Sequence, residues 1–202
     1  DPRTGEILEA DIHMFHNVLS LLRDWYFVQV SPLDERAAEL PMPDSLMGRL
    51  VQYVAAHEVG HSLGFPHNMK ASSAFPVDSL RSSSFTREHG NEASIMDYGR
   101  FNYVAQPGDD VRLIPKIGPY DEFAVEWGYR PLEGGPEAEQ EALNEIARRQ
   151  SDDPWLRFGS ADGIDPSAQT EDLGSNPMEA TRLGLKNLRR VMELLLEETT
   201  DE

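Results

Sequence analysis

The chain contains the stretch His57-Glu58-Val59-Gly60-His61-Ser62-Leu63-Gly64-Phe65-Pro66-His67, from which both a fold and a chemistry can be inferred. On an α-helix, His57 and His61 lie four residues apart, so both imidazoles project from one face and reach a single ion. Glu58 lies beside the first of them and can hydrogen-bond a water on that ion without binding the ion, as a general base requires. The stretch therefore predicts a metal site built on a helix.

The residues after the second histidine indicate a third ligand. Gly64 can end the helix, because glycine adopts the left-handed C-cap conformation without a Cβ clash, and Pro66 prevents the helix from continuing. His67 then folds back toward the ion. Three neutral imidazoles leave one tetrahedral position open, which is typical of a catalytic zinc and not of a closed structural zinc. The alternative is an amphipathic core helix with satisfied histidines, which does not explain why a glycine, a proline and a third histidine follow in this order.

A second motif, Ser94-Ile95-Met96-Asp97-Tyr98, lies downstream of the first. Together, H-E-x-x-H-x-x-G-x-x-H and S-x-M-x-Y resemble the zinc signature and the Met-turn of the metzincin clan of zinc metalloendopeptidases. The resemblance implies that the three histidines bind one catalytic Zn²⁺ and that Met96 forms an apolar floor beneath them. It also implies that Glu58 is the catalytic base and that Tyr98 lies near the metal, where it can stabilise the oxyanion of the reaction.

Three further stretches resemble the Met-zincin domain of large, secreted bacterial proteases. They are Pro2-Arg3-Thr4-Gly5-Glu6-Ile7, His67-Asn68-Met69-Lys70-Ala71-Ser72 and the segment from Tyr120 to Tyr129. The similarity implies that the chain is part of a larger polypeptide and that it is secreted, periplasmic or on the bacterial cell surface. Astacins carry glutamate after the third ligand, where this chain has Asn68, so an astacin-like substrate preference is not implied.

The resemblance implies an α+β fold, that of a zincin-like metzincin catalytic domain. Residues 5–13 mix apolar and acidic side chains with a period near two, and we predict that they form the edge strand before the active-site helix. Only this strand precedes His57, so we expect an incomplete N-terminal sheet. Its other strands lie upstream in a larger polypeptide, or the domain has an unusually reduced sheet. We divide the chain into a catalytic core, residues 1–131, and a helical acidic extension, residues 132–202, that packs on the core.

Apolar spacing and capping residues predict the helices. One helix follows Asn17 and ends near Ser31-Pro32, and the active-site helix is capped by Asp44 or Ser45. Residues 72–93 are rich in serine and lack periodicity, which predicts a loop. Three more helices are predicted over residues 119–128, 137–150 and from 177 onward.

Two pairs of residues are expected to contact a substrate. An exposed strand edge offers backbone donors and acceptors to an extended peptide, which places Ala10 and Ile12 at the rim of the cleft. The resemblance places Phe101 and Tyr103, just after the Met-turn, in the wall of a side-chain pocket. An upstream domain that covers the strand is the alternative for the first pair, and ordinary core packing is the alternative for the second.

Composition bounds the partners of this 202-residue chain. Its formal net charge of −18 repels phosphate backbones, so nucleic acid is not an expected partner. The apolar runs are short and interrupted by charges, so no membrane span is predicted. There are no cysteines, which excludes disulfides and thiolate ligands. Asp162-Gly163-Ile164-Asp165 has part of the pattern of a calcium loop and is a candidate Ca²⁺ site.

These observations lead to one hypothesis and two alternatives. The hypothesis is a zinc-dependent metalloendopeptidase whose substrate is a polypeptide. The first alternative is a catalytically inactive zinc-bound module that binds a protein partner, although such a module has no chemical need for Glu58. The second is a zinc hydrolase of non-peptide amides, which would have a small closed pocket where a peptidase has an open cleft.

Overall fold

The computed structural model describes residues 1–161 and 163–199, and the regular structure that it contains there is helical. There are seven α-helices in the described ranges: α1 (Asn17–Val30), α2 (Asp44–Ser62), α3 (Val77–Leu80), α4 (Ser83–His89), α5 (Pro119–Tyr129), α6 (Pro136–Asp152) and α7 (Pro177–Thr199). Short 3₁₀ helices occupy Ser31–Leu33, Glu35–Ala37, Ser72–Ala74 and Pro154–Leu156.

The prediction of an α+β fold with an N-terminal sheet is wrong for this chain. No β-strand occurs in the described part, and residues 5–13, the predicted edge strand, have no regular secondary structure. They are exposed along their length, with Leu8 71% exposed. The physical reason is that a strand is stabilised by hydrogen bonds to a neighbouring strand, and the described chain offers no second strand to pair with.

The main core forms between α1, α2 and the Met-turn. Leu46, Leu50, Tyr53 and His57 are buried at intervals of three and four residues, so they form one stripe along α2. This stripe packs against Leu22, Tyr26 and Val30 of α1 and against Ile95, Met96 and Phe101, all in one cluster of buried side chains. The first metal ligand therefore continues the apolar stripe of its helix, which fixes its position by packing.

The predicted helices occur in the structure, with two corrections. The active-site helix is not capped by Asp44 or Ser45, because Asp44 is its first residue and its N-cap is Pro43, whose side chain cannot accept a hydrogen bond. The other correction concerns the segment between residues 72 and 93. That segment was predicted to be a loop and instead contains α3 and α4. The Ser82 hydroxyl accepts a hydrogen bond from the Phe85 amide and caps α4, which explains how a serine-rich segment forms a helix. Phe75, Val77 and Leu80 are buried in a second cluster with Leu173 and Leu183, so tertiary packing stabilises these short helices.

The segment after residue 131 packs on the rest of the molecule at two places. Ile146 of α6 and Leu156 are buried against Phe123 of α5. Val191 of α7 belongs to the main core and Leu183 of α7 to the second cluster. The helices after residue 131 thus enclose the core from two sides.

One glutamate is fully buried beside the Met-turn. Glu92 is 0% exposed, and neither of its carboxylate oxygens has a hydrogen-bond partner within the residues that the structure describes. Burial raises the pKa of Glu92 well above its ordinary value of 4.5, and the nearby carboxylates of Asp97 and Asp121 raise it further. The backbone amide of Gly99 and the charge of Arg100 oppose this rise, and the net effect of the surroundings favours the neutral form of Glu92.

The burial of Glu92 predicts a pH-dependent stability. The unfolded chain releases this proton above pH 4.5 whereas the folded chain keeps it, so the contribution of Glu92 to stability is greatest below pH 4.5 and falls as the pH rises toward the folded pKa. Glu92→Gln keeps a neutral side chain at every pH. We expect the difference in free energy of unfolding, variant minus wild type, to increase with pH by up to about 1.4 kcal/mol per pH unit. Urea unfolding between pH 5 and pH 8 measures this difference.

The exposed Glu141 of α6 provides the matched control. Glu141→Gln removes one carboxylate from the same acidic chain but from solvent, and its stability difference from the wild type should stay constant across this range. A constant difference for Glu92→Gln as well would contradict the neutral state of Glu92.

Candidate metal centre

Three histidines converge at the C-terminal end of α2. His57 and His61 lie one turn apart on the helix, and His67 follows the turn that ends it. One ring nitrogen from each of the three lies within 4.8 Å of those of the other two. Among the described residues, this is the group of histidines and carboxylates that can hold a metal ion.

The turn between the second and third histidines is a Schellman motif. Gly64 has a φ of 88°, its amide donates to the carbonyl of His61 at 2.9 Å, and the Phe65 amide donates to the carbonyl of Gly60 at 3.1 Å. The sequence prediction that Gly64 ends the helix is confirmed. Because the left-handed conformation is accessible to glycine at little cost, this residue lets the chain reverse and bring His67 back over the helix.

Two backbone carbonyls orient the first two imidazoles. His57 Nδ1 lies 2.7 Å from the carbonyl oxygen of Ile95, and His61 Nδ1 lies 2.8 Å from that of Phe65. A carbonyl only accepts, so each Nδ1 donates and each Nε2 keeps a free lone pair. His61 Nε2 and His67 Nε2 face each other at 3.0 Å, as expected for two nitrogens directed at one shared position.

The electrostatic environment favours the form of histidine that binds metals. Burial is the main cause that lowers the pKa of His57, and the Ile95 carbonyl opposes it. Burial, followed by the proximity of His61, also lowers the pKa of His67. Neutral imidazoles at neutral pH with oriented Nε2 atoms fit a zinc ion, which takes tetrahedral nitrogen ligands and keeps one position open in catalytic sites.

Met96, the central residue of the Met-turn motif, packs against Gly60 of α2. A Cβ atom at Gly60 would come within 2.2 Å of the Met96 sulfur, so the two segments approach as closely as a glycine allows. The Met96 side chain is 1% exposed, and the Met96 carbonyl accepts a hydrogen bond from the amide of Asn68 at 3.0 Å. The Met-turn therefore supports the zinc helix and also holds the loop that carries the third ligand.

A buried carboxylate that sequence reasoning missed fixes the Met-turn. Asp121, in the first turn of α5, accepts hydrogen bonds from the Ser94 hydroxyl at 2.6 Å, the Ile95 amide at 2.8 Å and the Gly118 amide at 2.7 Å. Burial raises the pKa of Asp121, and these three donors oppose the rise. The only sequence signal was the acidic residue after Pro119-Tyr120 at a helix start, which is also typical of ordinary capping.

Two more polar residues next to the site were also missed. Asp97 accepts hydrogen bonds from the amides of Ser72 and Tyr98, both at 2.6 Å, and burial raises its pKa to about 7. Asn68, directly after the third histidine, donates to the carbonyl of Arg157 and accepts from the amide of Gly159, both at 3.0 Å. Asn68 thereby ties the third-ligand loop to the segment after α6.

Tyr98 lies against the histidines, where the resemblance placed it. Its ring stacks on that of His57 with centroids 5.5 Å apart and lies 4.5 Å from that of His67. The guanidinium of Arg100 lies 3.7 Å from the ring centroid of Trp25 and 4.7 Å from that of Tyr98. Burial raises the pKa of Tyr98, which keeps the phenol protonated.

Arg100 is itself held from the C-terminal part of the chain. Its guanidinium forms an ion pair with Glu171, with a distance of 2.8 Å from Nε to Oε2, and the Glu171 amide donates to the Tyr98 carbonyl at 3.2 Å. The extension after residue 131 therefore contacts both the backbone of Tyr98 and the cation that covers its ring.

The four predicted substrate contacts lie in two different environments. Ala10 and Ile12 line an open cavity of about 370 Å³ together with Glu58 and His61, so the structure brings these two residues to the metal centre. Phe101 is 0% exposed and packs edge-on against Tyr26, and Tyr103 packs against Gly184 of α7. The structure therefore places Phe101 in the packed interior and Tyr103, which is half-buried, against α7, and neither residue lines the cavity at Glu58.

The candidate calcium loop does not form a ligand cluster in its described part. Asp162, its first residue, lies outside the described residues. The carboxylate of Asp165 accepts hydrogen bonds from the ammonium of Lys70 at 2.6 Å and from the Ser167 hydroxyl at 2.7 Å. The hydrogen bond from Lys70 is the main cause that lowers the pKa of Asp165. In its described part, the loop is therefore held by a lysine side chain.

Comparison with known proteins gives a match to one family. The family described as Met-zincin matches residues 39–202. No curated protein and no solved structure matches the chain. None of the described helices combines the length and the apolar character that crossing a bilayer requires.

The contact between Gly60 and Met96 can be tested with a pair of substitutions in one helix. Glycine to alanine inside an exposed stretch of helix stabilises it by up to about 1 kcal/mol, and Gly48 of α2 has open space at its Cβ position. We expect Gly48→Ala to raise the melting temperature. Gly60→Ala should lower it and weaken zinc binding, because the new methyl group displaces Met96 from beneath the histidines.

Thermal unfolding and competition with a chromophoric zinc chelator measure these two effects. Equal behaviour of the Gly48 and Gly60 variants in both measurements would show that the Met-turn does not depend on the close approach of α2.

Proposed function

Because the chain belongs to the Met-zincin family, we propose that it is a zinc-dependent metalloendopeptidase that hydrolyses peptide bonds. The family indicates a zinc metallopeptidase domain. The observation that supports peptide hydrolysis more specifically is the position of Glu58. It lies between His57 and His61 in the sequence of α2, and it lines an open cleft together with His61. A binding module needs the histidines alone, whereas hydrolysis also needs a carboxylate at this position.

The chain's own residues supply the remaining parts of a hydrolytic site. A zinc ion held by the three histidines would polarise the scissile carbonyl and acidify water at neutral pH. Glu58 is half-buried on the helix that carries two of the histidines, and it faces the cleft. Its carboxylate is positioned to take a proton from the attacking water and to deliver it to the leaving amine.

Tyr98 completes the proposed mechanism. Its ring is fixed by His57, His67 and the Arg100 guanidinium, so its hydroxyl has a defined position beside the histidines. A protonated phenol can donate a hydrogen bond to the oxyanion that develops on the scissile carbonyl. We assign Tyr98 to this role and Met96 to the support of the histidines.

The form of the cleft supports a polypeptide substrate. The cavity at Glu58 is open to solvent and is bordered by residues 10–13, which have no regular secondary structure and are exposed. The backbone of such a segment offers donors and acceptors to an extended peptide, although no sheet edge is present. On the resemblance alone, we also propose that the domain belongs to a larger protein that acts outside the cytoplasm.

Glu58→Gln tests the proposed base. The amide keeps the size of the side chain but cannot accept the proton, so the rate of peptide cleavage should fall about 10²- to 10⁴-fold. One equivalent of zinc should remain bound, because Glu58 is not a ligand. Mass spectrometry measures both quantities: the cleavage of a mixed peptide library and the zinc content of the protein. Zinc-loaded Glu58→Gln that cleaves at the wild-type rate would refute the mechanism.

His67→Gln tests the metal site separately. We expect it to lose bound zinc and activity together, because two imidazoles hold the ion far more weakly than three. His16→Gln is the matched control, since His16 is exposed and lies outside the triad, and it should keep both. Retention of a full equivalent of zinc by His67→Gln would contradict the assignment of the third ligand.

Tyr98→Phe tests the role of the phenol. Loss of one hydrogen bond that forms only to the oxyanion should lower kcat about 100-fold and leave KM and the zinc content unchanged. A change in KM with an unchanged kcat would instead assign Tyr98 to substrate binding.

A further inference from the structure

A cavity of about 770 Å³ lies beside the metal centre, at the end of α2. Its walls come from four parts of the chain: residues 5–7, the turn at 63–66, helix α5, and α6 with the segment that follows it. The part of the chain after residue 131 contributes Ala147 and Gln150 of α6 and Phe158 of the segment that follows it. The cavity is thus built by the extension and the core together.

The lining of this cavity is apolar and aromatic. Phe65, Tyr120, Trp127, Tyr129 and Phe158 all contribute to its surface, and Glu6 and Gln150 are the lining residues with a charged or amide side chain. Trp127 is 49% exposed and Tyr129 is 48% exposed. Large aromatic side chains left open to water in a concave site indicate a surface that binds an apolar group.

The aromatic walls are held in place. The Tyr129 hydroxyl donates to the carbonyl of Leu63 at 2.7 Å, which joins the end of α5 to the turn after the zinc helix. The Phe65 ring packs edge-on against that of Tyr129 with centroids 6.4 Å apart. The cavity is therefore preformed, and it is fixed to the same turn whose Phe65 carbonyl orients His61.

One segment of chain borders both this cavity and the catalytic cleft. Residues 5–7 line the cavity, and residues 10–13 line the cleft at Glu58 and His61. Two residues, Leu8 and Glu9, lie between Ile7 and Ala10, and three residue steps span at most about 11 Å along this segment. A peptide bound along the segment covers that distance with three or four residues.

We propose that this cavity is a specificity pocket that takes a bulky aromatic or branched aliphatic side chain of the polypeptide substrate, within about four residues of the scissile bond. The inference rests on the proposed function and adds its substrate class. The extension after residue 131 then determines specificity, because α6 and Phe158 form one wall of the pocket.

Filling the pocket tests the proposal. Ala147 is half-buried on α6 and lines the cavity, so Ala147→Trp occupies it with an indole ring. Ala142 is half-buried on the same helix and is not part of the lining, so Ala142→Trp is the matched control. Trp127→Ala, at a half-exposed position, removes a wall without adding bulk.

The readout is a ratio of specificity constants. A peptide library first locates the position that the wild type selects, and two fluorogenic peptides with Phe or Ser at that position are then compared. We expect a ratio of kcat/KM for Phe over Ser of about 10 or more in the wild type and in Ala142→Trp, from the burial of one aromatic side chain. The ratio should approach 1 in Ala147→Trp and fall in Trp127→Ala.

Three outcomes would overturn the pocket. The first is a flat cleavage profile at four positions on either side of the cleaved bond, and the second is an unchanged Phe over Ser ratio in Ala147→Trp. The third is a concentration-dependent dimer in sedimentation that Ala147→Trp abolishes, which would assign the cavity to a second copy of the chain. In the first two cases cleavage itself persists, so the proposed function stands.

Binding separates the pocket from the catalytic chemistry. Zinc-loaded Glu58→Gln and the wild type are titrated with fluorescently labelled Phe and Ser peptides, and anisotropy is measured. We expect the Phe peptide to bind about tenfold more tightly than the Ser peptide. This difference should disappear when the Ala147→Trp substitution is introduced into the same proteins. A zinc-loaded wild type that cleaves no peptide but shows this difference would refute the proposed function and leave the pocket supported.

Discussion

The site depends on the contact between the zinc helix and the Met-turn. His57 Nδ1 donates to the carbonyl of Ile95 at 2.7 Å, and the next residue, Met96, fits against α2 only because residue 60 is a glycine. The hydrogen bond to Ile95 orients the His57 imidazole, and the contact between Met96 and Gly60 supports the face of α2 that carries His61. Since both contacts involve the same turn, any displacement of Ile95 and Met96 moves the ligand geometry as a whole.

Two buried carboxylates at this turn, Asp121 and Glu92, differ in how their burial is compensated. Asp121 is buried with three hydrogen-bond donors directed at it, so its burial is compensated and it ties the turn to α5. Glu92 is fully buried without such donors in the described chain and is therefore kept neutral. Stability and site geometry are thus linked, because the acids that lie around the Met-turn are also those whose ionisation the fold suppresses.

The part of the chain after residue 131 contacts residues next to the histidines, and these contacts come from the segments between its helices. Glu171 holds the arginine that lies over Tyr98, and the carbonyl of Arg157 holds Asn68 beside the third ligand. The same part of the chain forms one wall of the apolar cavity. Ion pairs such as Arg100–Glu171 also connect this part of the chain to the rest of the molecule.

The sequence by itself determined the local features: the spacing of His57 and His61, the turn at Gly64 and the helical stripe of α2 all depend on neighbours within one or two turns. Residues 5–13 also had the local pattern of a strand, but a strand exists only when another pairs with it, so tertiary structure decided that prediction against the sequence. Asp121 and Glu171 act 26 and 71 residues away from their partners. Such contacts arise from packing between distant segments, which no local pattern of residues specifies.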